Sequence, residues 1–181
     1  MRKYGIIIIV ATVLVLIFGC FKTYTALTHP LKYCDIINNV SKSVDIDNSL
    51  LASVINVESS YKPNAVSSKQ AIGLVQIKES TANYVSELYG LEKIEKNQLF
   101  NPEINIKYGA LYLKYLIEKF CDTNTALSAY NAGETKVKSW LLDGTYSLDG
   151  KTLSYIPYEE TRNYVEKINK NIKFYKKYYK N

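Results

Sequence analysis

An apolar run from Gly5 to Phe21 opens the chain, with no charged residue inside it, and Lys22 ends it. The pattern then changes to short segments whose apolar residues stand three and four apart, the spacing of helices with one buried face. Leu31 to Val44 is the first of these. Asp47 or Asn48 suits the cap of a second helix to about Ser60, where Tyr61-Lys62-Pro63 stops it. Ser67 to Ile77 has no helical period and contains Gly73, which predicts a loop or small hairpin. Ser80 starts a helix that Gly90 ends. Asn101-Pro102, a cap followed by Pro at the first helical position, opens a long helix to about Cys121. Thr123 to Ala132 and Glu134 to Leu142 read as shorter helices separated by Gly133. Asp143-Gly144 and Asp149-Gly150 mark turns, and Pro157 begins a terminal helix. The expected class is mostly α, with at most a small β-hairpin.

The apolar run divides the chain into a membrane anchor or lipoprotein-type signal (1–22), a tether (23–30) and one domain (31–181). At about 17 residues it lies between a signal segment and a short membrane span. Arg2 and Lys3 precede it and should stay cytoplasmic, which sends everything after Lys22 outside. Ile17-Phe18-Gly19-Cys20 resembles a lipoprotein signal with Cys20 as the lipidated residue, but Phe18 fits that motif poorly. An uncleaved anchor is the favoured reading, and the cell envelope the expected location.

With 47% apolar and 22% charged residues the chain has the composition of a folded protein. Its net charge of +6 is not spread evenly: residues 1–161 carry 16 basic and 16 acidic side chains, and 162–181 carry seven basic against Glu166 alone. In that tail Tyr164, Ile168, Ile172, Tyr175 and Tyr179 form one helical stripe. The tail reads as a helix packed on the domain with a solvated lysine face. An anionic wall polymer or lipid headgroup is the alternative partner for that face. Nucleic acid is not an expected partner, because the rest of the chain is charge-balanced and directed outside the membrane.

The single histidine, His29, lies in the tether, so no zinc site or His-dependent nucleophile can be assembled from it, and no metal or cofactor is expected. Cys34 and Cys121 are read either as a disulfide of an oxidising compartment or as two unpaired core cysteines.

Candidate chemistry is concentrated at the end of the second helix. Leu51, Val54, Ile55 and Glu58 share one face, so a carboxyl group extends the stripe that enters the core. Burial and the negative end of the helix dipole both oppose ionisation there, as a general acid near neutral pH requires. The plainer reading is a surface Glu at a fraying helix end.

Four segments, in order, bear on that choice. Glu58-Ser59-Ser60-Tyr61-Lys62-Pro63-Asn64-Ala65-Val66-Ser67 with Gly73-Leu74-Val75-Gln76-Ile77 resembles the active-site segment of the soluble lytic transglycosylase family. Asn101-Pro102-Glu103-Ile104-Asn105-Ile106 through Gly109 and Tyr112-Leu113 is similar to that family's central helix. Ala129-Tyr130-Asn131-Ala132-Gly133 resembles its Ala-Tyr-Asn-Ala-Gly motif, and Pro157-Tyr158-Glu159-Glu160-Thr161-Arg162-Asn163-Tyr164-Val165 its closing motif. The resemblance spans roughly residues 31–170. It implies a lysozyme-like fold acting on peptidoglycan glycan strands, with Glu58 as the single acid/base. Ser67 would orient the N-acetyl group or a water, and Gln76 would line the sugar cleft. Tyr130 and Asn131 would sit near the reacting sugar, with Glu160 and Tyr164 as support behind them. The implied reaction cuts the bond between N-acetylmuramic acid and N-acetylglucosamine and closes a 1,6-anhydro ring.

Three positions depart from the family pattern. Gln70 stands where Gly is usual, Val75 where Met is usual, and Glu79 where Pro is common. Gln70 calls the loop turn into question, and Val75 is expected to reshape the cleft floor. Two other functions are compatible with the sequence. One is a lysozyme-type hydrolase that uses water and a second carboxylate, for which Glu79, Glu87 and Asp143 are best placed. The other is a non-catalytic wall-binding module.

Overall fold

The computed structural model describes residues 2–179, without side-chain detail for residues 2, 3 and 5–11. The chain divides into two units, Met1–Lys32 and Tyr33–Asn181. The first unit is one helix, α1 (Arg2–Thr28), so most of the expected tether is helical. The hydroxyls of Thr23, Thr25 and Thr28 donate back to carbonyls three or four residues earlier. Among the described residues no helix is long and apolar enough to cross a membrane. Much of the expected anchor, the side chains of residues 5–11, lies outside that description.

The second unit holds α2 (Cys34–Val44), α3 (Asn48–Ser59), α4 (Glu79–Tyr89), α5 (Pro102–Phe120), α6 (Thr123–Ala132), α7 (Glu134–Leu141) and α8 (Glu159–Tyr175). The expected caps of α3 and α5 form: the Asp47 side chain accepts from the Leu50 amide, and the Asn101 side chain from those of Glu103 and Ile104. A 3₁₀ turn at Lys96–Phe100 was not legible in the hydrophobic pattern, because polar bonds between Glu95 and Gln98 build it. The terminal helix begins at Glu159 rather than Pro157. Among the described residues there is no sheet, only isolated bridges from Ile72 to Val66 and Ile77. The mostly α class stands.

α3 is the centre of this unit, and more of it is buried than one stripe predicts. Leu51, Val54 and Ile55 are fully buried, and so are Ala52 and Ser53 on its other faces. One set of neighbours comes from α2, α5 and the loop after α3, including Ile72, Leu74, Val75 and Ile106. Another comes from α5, α6 and α8: Leu113, Leu127, Val165 and Ile168. The buried Ser53 hydroxyl is satisfied within α3, donating to the Ser49 carbonyl at 2.6 Å. Of the tail stripe, Tyr164, Ile168, Tyr175 and Tyr179 are buried and Ile172 half-buried. Its lysines Lys167, Lys170, Lys173, Lys176 and Lys177 are exposed.

The cysteines do not pair. Cys34 is half-buried and lies 3.4 Å from the Tyr179 hydroxyl; Cys121 is exposed at the end of α5 and not in the core.

Candidate active site

A cleft of about 500 Å³ is lined by Glu58 from α3, Ser67 and Gln76 from the following loop, Tyr112 from α5, Tyr130 and Asn131 from α6, and Glu160 from α8. Six of the seven residues expected at the site therefore line one cavity, and Tyr164 lies behind it. The local reason begins at the end of α3. Ser60 and Tyr61 both take left-handed backbone (φ 50° and 62°), which turns the chain sharply after Glu58. The buried Ser59 hydroxyl then donates to the Leu74 carbonyl at 2.8 Å, fastening the returning loop beside Glu58.

Burial raises the Glu58 pKa from its ordinary 4.5 to about 7, and the Tyr164 hydroxyl opposes that rise more weakly. Tyr164 is itself buried with no fully formed hydrogen bond, so its hydroxyl stands close to the carboxyl without engaging it strongly. Burial, followed by the charge of Glu58, pushes the Tyr130 hydroxyl well above the ordinary tyrosine range. Tyr130 stays a neutral donor to the Val75 carbonyl at 2.9 Å. Asn131 is held by the Thr161 hydroxyl, which donates to its Oδ1 at 2.8 Å. The first turn of α8 thereby positions a side chain of α6.

The loop wall is built from polar clamps. Ser67 accepts from the Ala71 amide at 3.0 Å, closing a tight turn. The Gln76 amide nitrogen donates to the carbonyls of Ala65 and Gly73. Gln70 carries φ 60° where the family resemblance leads one to expect Gly, so the turn forms with a strained residue. Glu160, expected as support behind the site, is exposed at the cleft instead.

Val75 departs from expectation: it is fully buried and does not line the cleft. Its side chain fills the space above Gly109, where a Cβ would come within 2.3 Å of Cγ2. The missed residue with the widest role is Asn105. Buried on α5, it donates to the carbonyls of Ile72 and Leu99 and accepts from the Val75 amide, all at 2.9 Å. Gly73, at φ 77°, lets the loop approach it, since a Cβ there would lie 2.3 Å from the Asn105 Nδ2. A buried Asn on an otherwise apolar helix face was the signal available in the sequence. Tyr112 was also missed as a cleft residue; burial pushes its pKa up to about 12, and its ring packs against Tyr130 at 5.4 Å between centroids.

Of the acids considered as a second carboxylate, none lines this cavity. Glu79 lies at an adjoining one, Glu87 is exposed and 3.7 Å from Lys93, and Asp143 is exposed and accepts from the Thr145 amide. Glu160 is the other carboxylate lining the cleft. Among the described residues no three His, Cys, Asp or Glu side chains gather to hold a metal.

Residues 35–153 match the transglycosylase SLT domain. The soluble lytic murein transglycosylase of Salmonella typhimurium is 33% identical over 154 residues, 83% of this chain and 23% of that protein. The membrane-bound lytic murein transglycosylase C of Glaesserella parasuis is 30% identical over 162 residues, 77% of this chain and 44% of that protein. Among solved structures, an inactive mutant of the lytic transglycosylase Slt from Pseudomonas aeruginosa matches with a TM-score of 0.75 and 26% identity. That match covers 85% of this chain and 25% of the other. The chain thus spans about a quarter of the length of the soluble relatives it matches.

Proposed function

The chain belongs to the transglycosylase SLT domain family, and from that premise we propose that it cleaves peptidoglycan glycan strands as a lytic transglycosylase. The observation that carries the reading is Glu58, a carboxyl whose pKa burial brings to about 7 in a cleft of about 500 Å³. Such a group is half protonated near neutral pH and can act first as acid and then as base.

In the proposed reaction Glu58 donates its proton to the glycosidic oxygen between N-acetylmuramic acid and N-acetylglucosamine. The bond breaks through an oxocarbenium-like state, which the neighbouring N-acetyl group supports. The Glu58 carboxylate then takes the proton of the C6 hydroxyl of the same muramic acid. That oxygen closes on C1 to give a 1,6-anhydro end, and no water is consumed. Ser67, Gln76, Tyr130 and Asn131 bind and orient the sugars, and Tyr164 steadies the ionised form of Glu58.

Glu58→Gln keeps the shape and removes the titrating proton. It should lower release of fragments from purified sacculi by about 10³-fold; unchanged turnover would sink the assignment. Glu160 in the same cleft is the observation that favours a water-using hydrolase as the second reading. Mass spectrometry separates the two, because anhydro ends come from the first and reducing ends from the second. Loss of turbidity from sacculi separates both from a wall-binding module.

The proposed setting is the cell envelope, with α1 tethering the domain outside the membrane. The exposed lysines of α8 are a proposed contact for anionic wall polymer.

A further inference from the structure

The cleft does not end at Glu58. A second cavity of about 330 Å³ adjoins it and shares Lys69 and Lys78 with it, and Lys96 lines its far side. All three lysines are exposed, and among the described residues none has a carboxylate within 4 Å; Lys96 makes a 3.5 Å contact to the Gln70 side chain. Among the residues lining the second cavity three lysines stand against Glu79 alone, while Glu58 and Glu160 share the main cleft with Lys69 and Lys78, and Glu95 precedes Lys96. The fold places these cations together from three separate segments: the Ser67–Ala71 turn, the residue before α4, and the 3₁₀ turn.

We propose that Lys69 and Lys78, with Lys96 behind them, form a carboxylate-reading subsite that selects glycan strands bearing anionic groups over uncharged ones. The proposal rests on the glycan-cleaving reading only for the choice of ligand. The carboxylate could belong to the lactyl group of muramic acid or to its stem peptide. Exposed cations facing an anionic ligand contribute modestly each and are weakened by salt, so two together should give an effect of about tenfold.

The test is equilibrium binding by the full chain carrying Glu58→Gln, with and without Lys69→Gln and Lys78→Gln. The probes are peptide-bearing strands, strands stripped of peptide, and uncharged N-acetylglucosamine oligomers. The double exchange should weaken binding of peptide-bearing strands about tenfold at low salt and less at high salt. It should leave the uncharged oligomers within twofold, and Lys→Arg at both positions should restore affinity. A loss that persists on stripped strands assigns the lactyl carboxylate, and a loss that vanishes there assigns the stem peptide. Unchanged affinity for both anionic probes, or an equal loss on uncharged oligomers, overturns the subsite. Because cleavage is not read, failure of Glu58 to catalyse would leave this result interpretable.

Discussion

The two walls of the cleft are made in different ways. The helical wall, from α3, α6 and α8, is set by apolar burial: Leu50, Val54, Leu127, Val165 and Ile168 pack together, and Glu58 and Tyr130 are carried along. The loop wall, residues 61–78, has no regular structure to satisfy its backbone. A few backbone bonds, as between Ile72 and Ile77, satisfy part of it, and side chains supply further partners, from Ser59, Asn105 and Tyr130. One wall tolerates changes that keep volume; the other depends on individual donors and acceptors. The acid belongs to the first wall, and much of the sugar-facing surface to the second.

Removing Asn105 tests that contrast most severely. Asn105→Ala leaves the Val75 amide and the Leu99 carbonyl buried without partners, while the Ile72 carbonyl keeps the Ile77 amide at 3.2 Å; it should cost about 4 kcal/mol, on a basis of 1–3 kcal/mol per orphaned group. Chemical denaturation measures it, and activity should fall with the loop. A loss below about 1 kcal/mol would mean the loop wall is held by packing after all.

Glu58 is the exception within the helical wall, an ionisable group placed where apolar residues belong. Its raised pKa works against stability. Below about pH 4.5 both folded and unfolded chains are protonated there and nothing is lost. Between 4.5 and 7 the unfolded chain ionises first, and the folded state loses up to about 3 kcal/mol above pH 7. Glu58→Gln should therefore be more stable than the parent at pH 8 by up to about 3 kcal/mol, and equal to it near pH 4. Thermal unfolding at the two pH values checks this, and an equal effect at both would contradict the buried carboxyl.

The smallest effect belongs to the turn of the loop wall. Gln70 holds a left-handed conformation that costs a side chain roughly 1 kcal/mol. Gln70→Gly removes that strain but adds freedom to the unfolded chain, leaving a gain of about 0.5 kcal/mol. A clear loss of stability would show that the Gln70 side chain contributes contacts beyond its weak one to Lys96.

The sequence by itself determined the helix order, the caps at Asp47 and Asn101, the buried stripe of the tail and the place of Glu58. These depend on spacing and capping within a few residues, which local chemistry dictates. Family motifs extended that reading to Ser67, Gln76, Tyr130 and Asn131, all of which line the same cleft. Tertiary structure alone decided what the loop rests on. Val75 turned into the core because Gly109, 34 positions later, leaves room for it. Asn105 became the clamp of that loop, Glu160 came to the cleft rather than behind it, and three lysines from separate segments met at one end. Each outcome depends on which distant groups approach closely enough to fill a space or accept a bond, and one-dimensional spacing does not encode that.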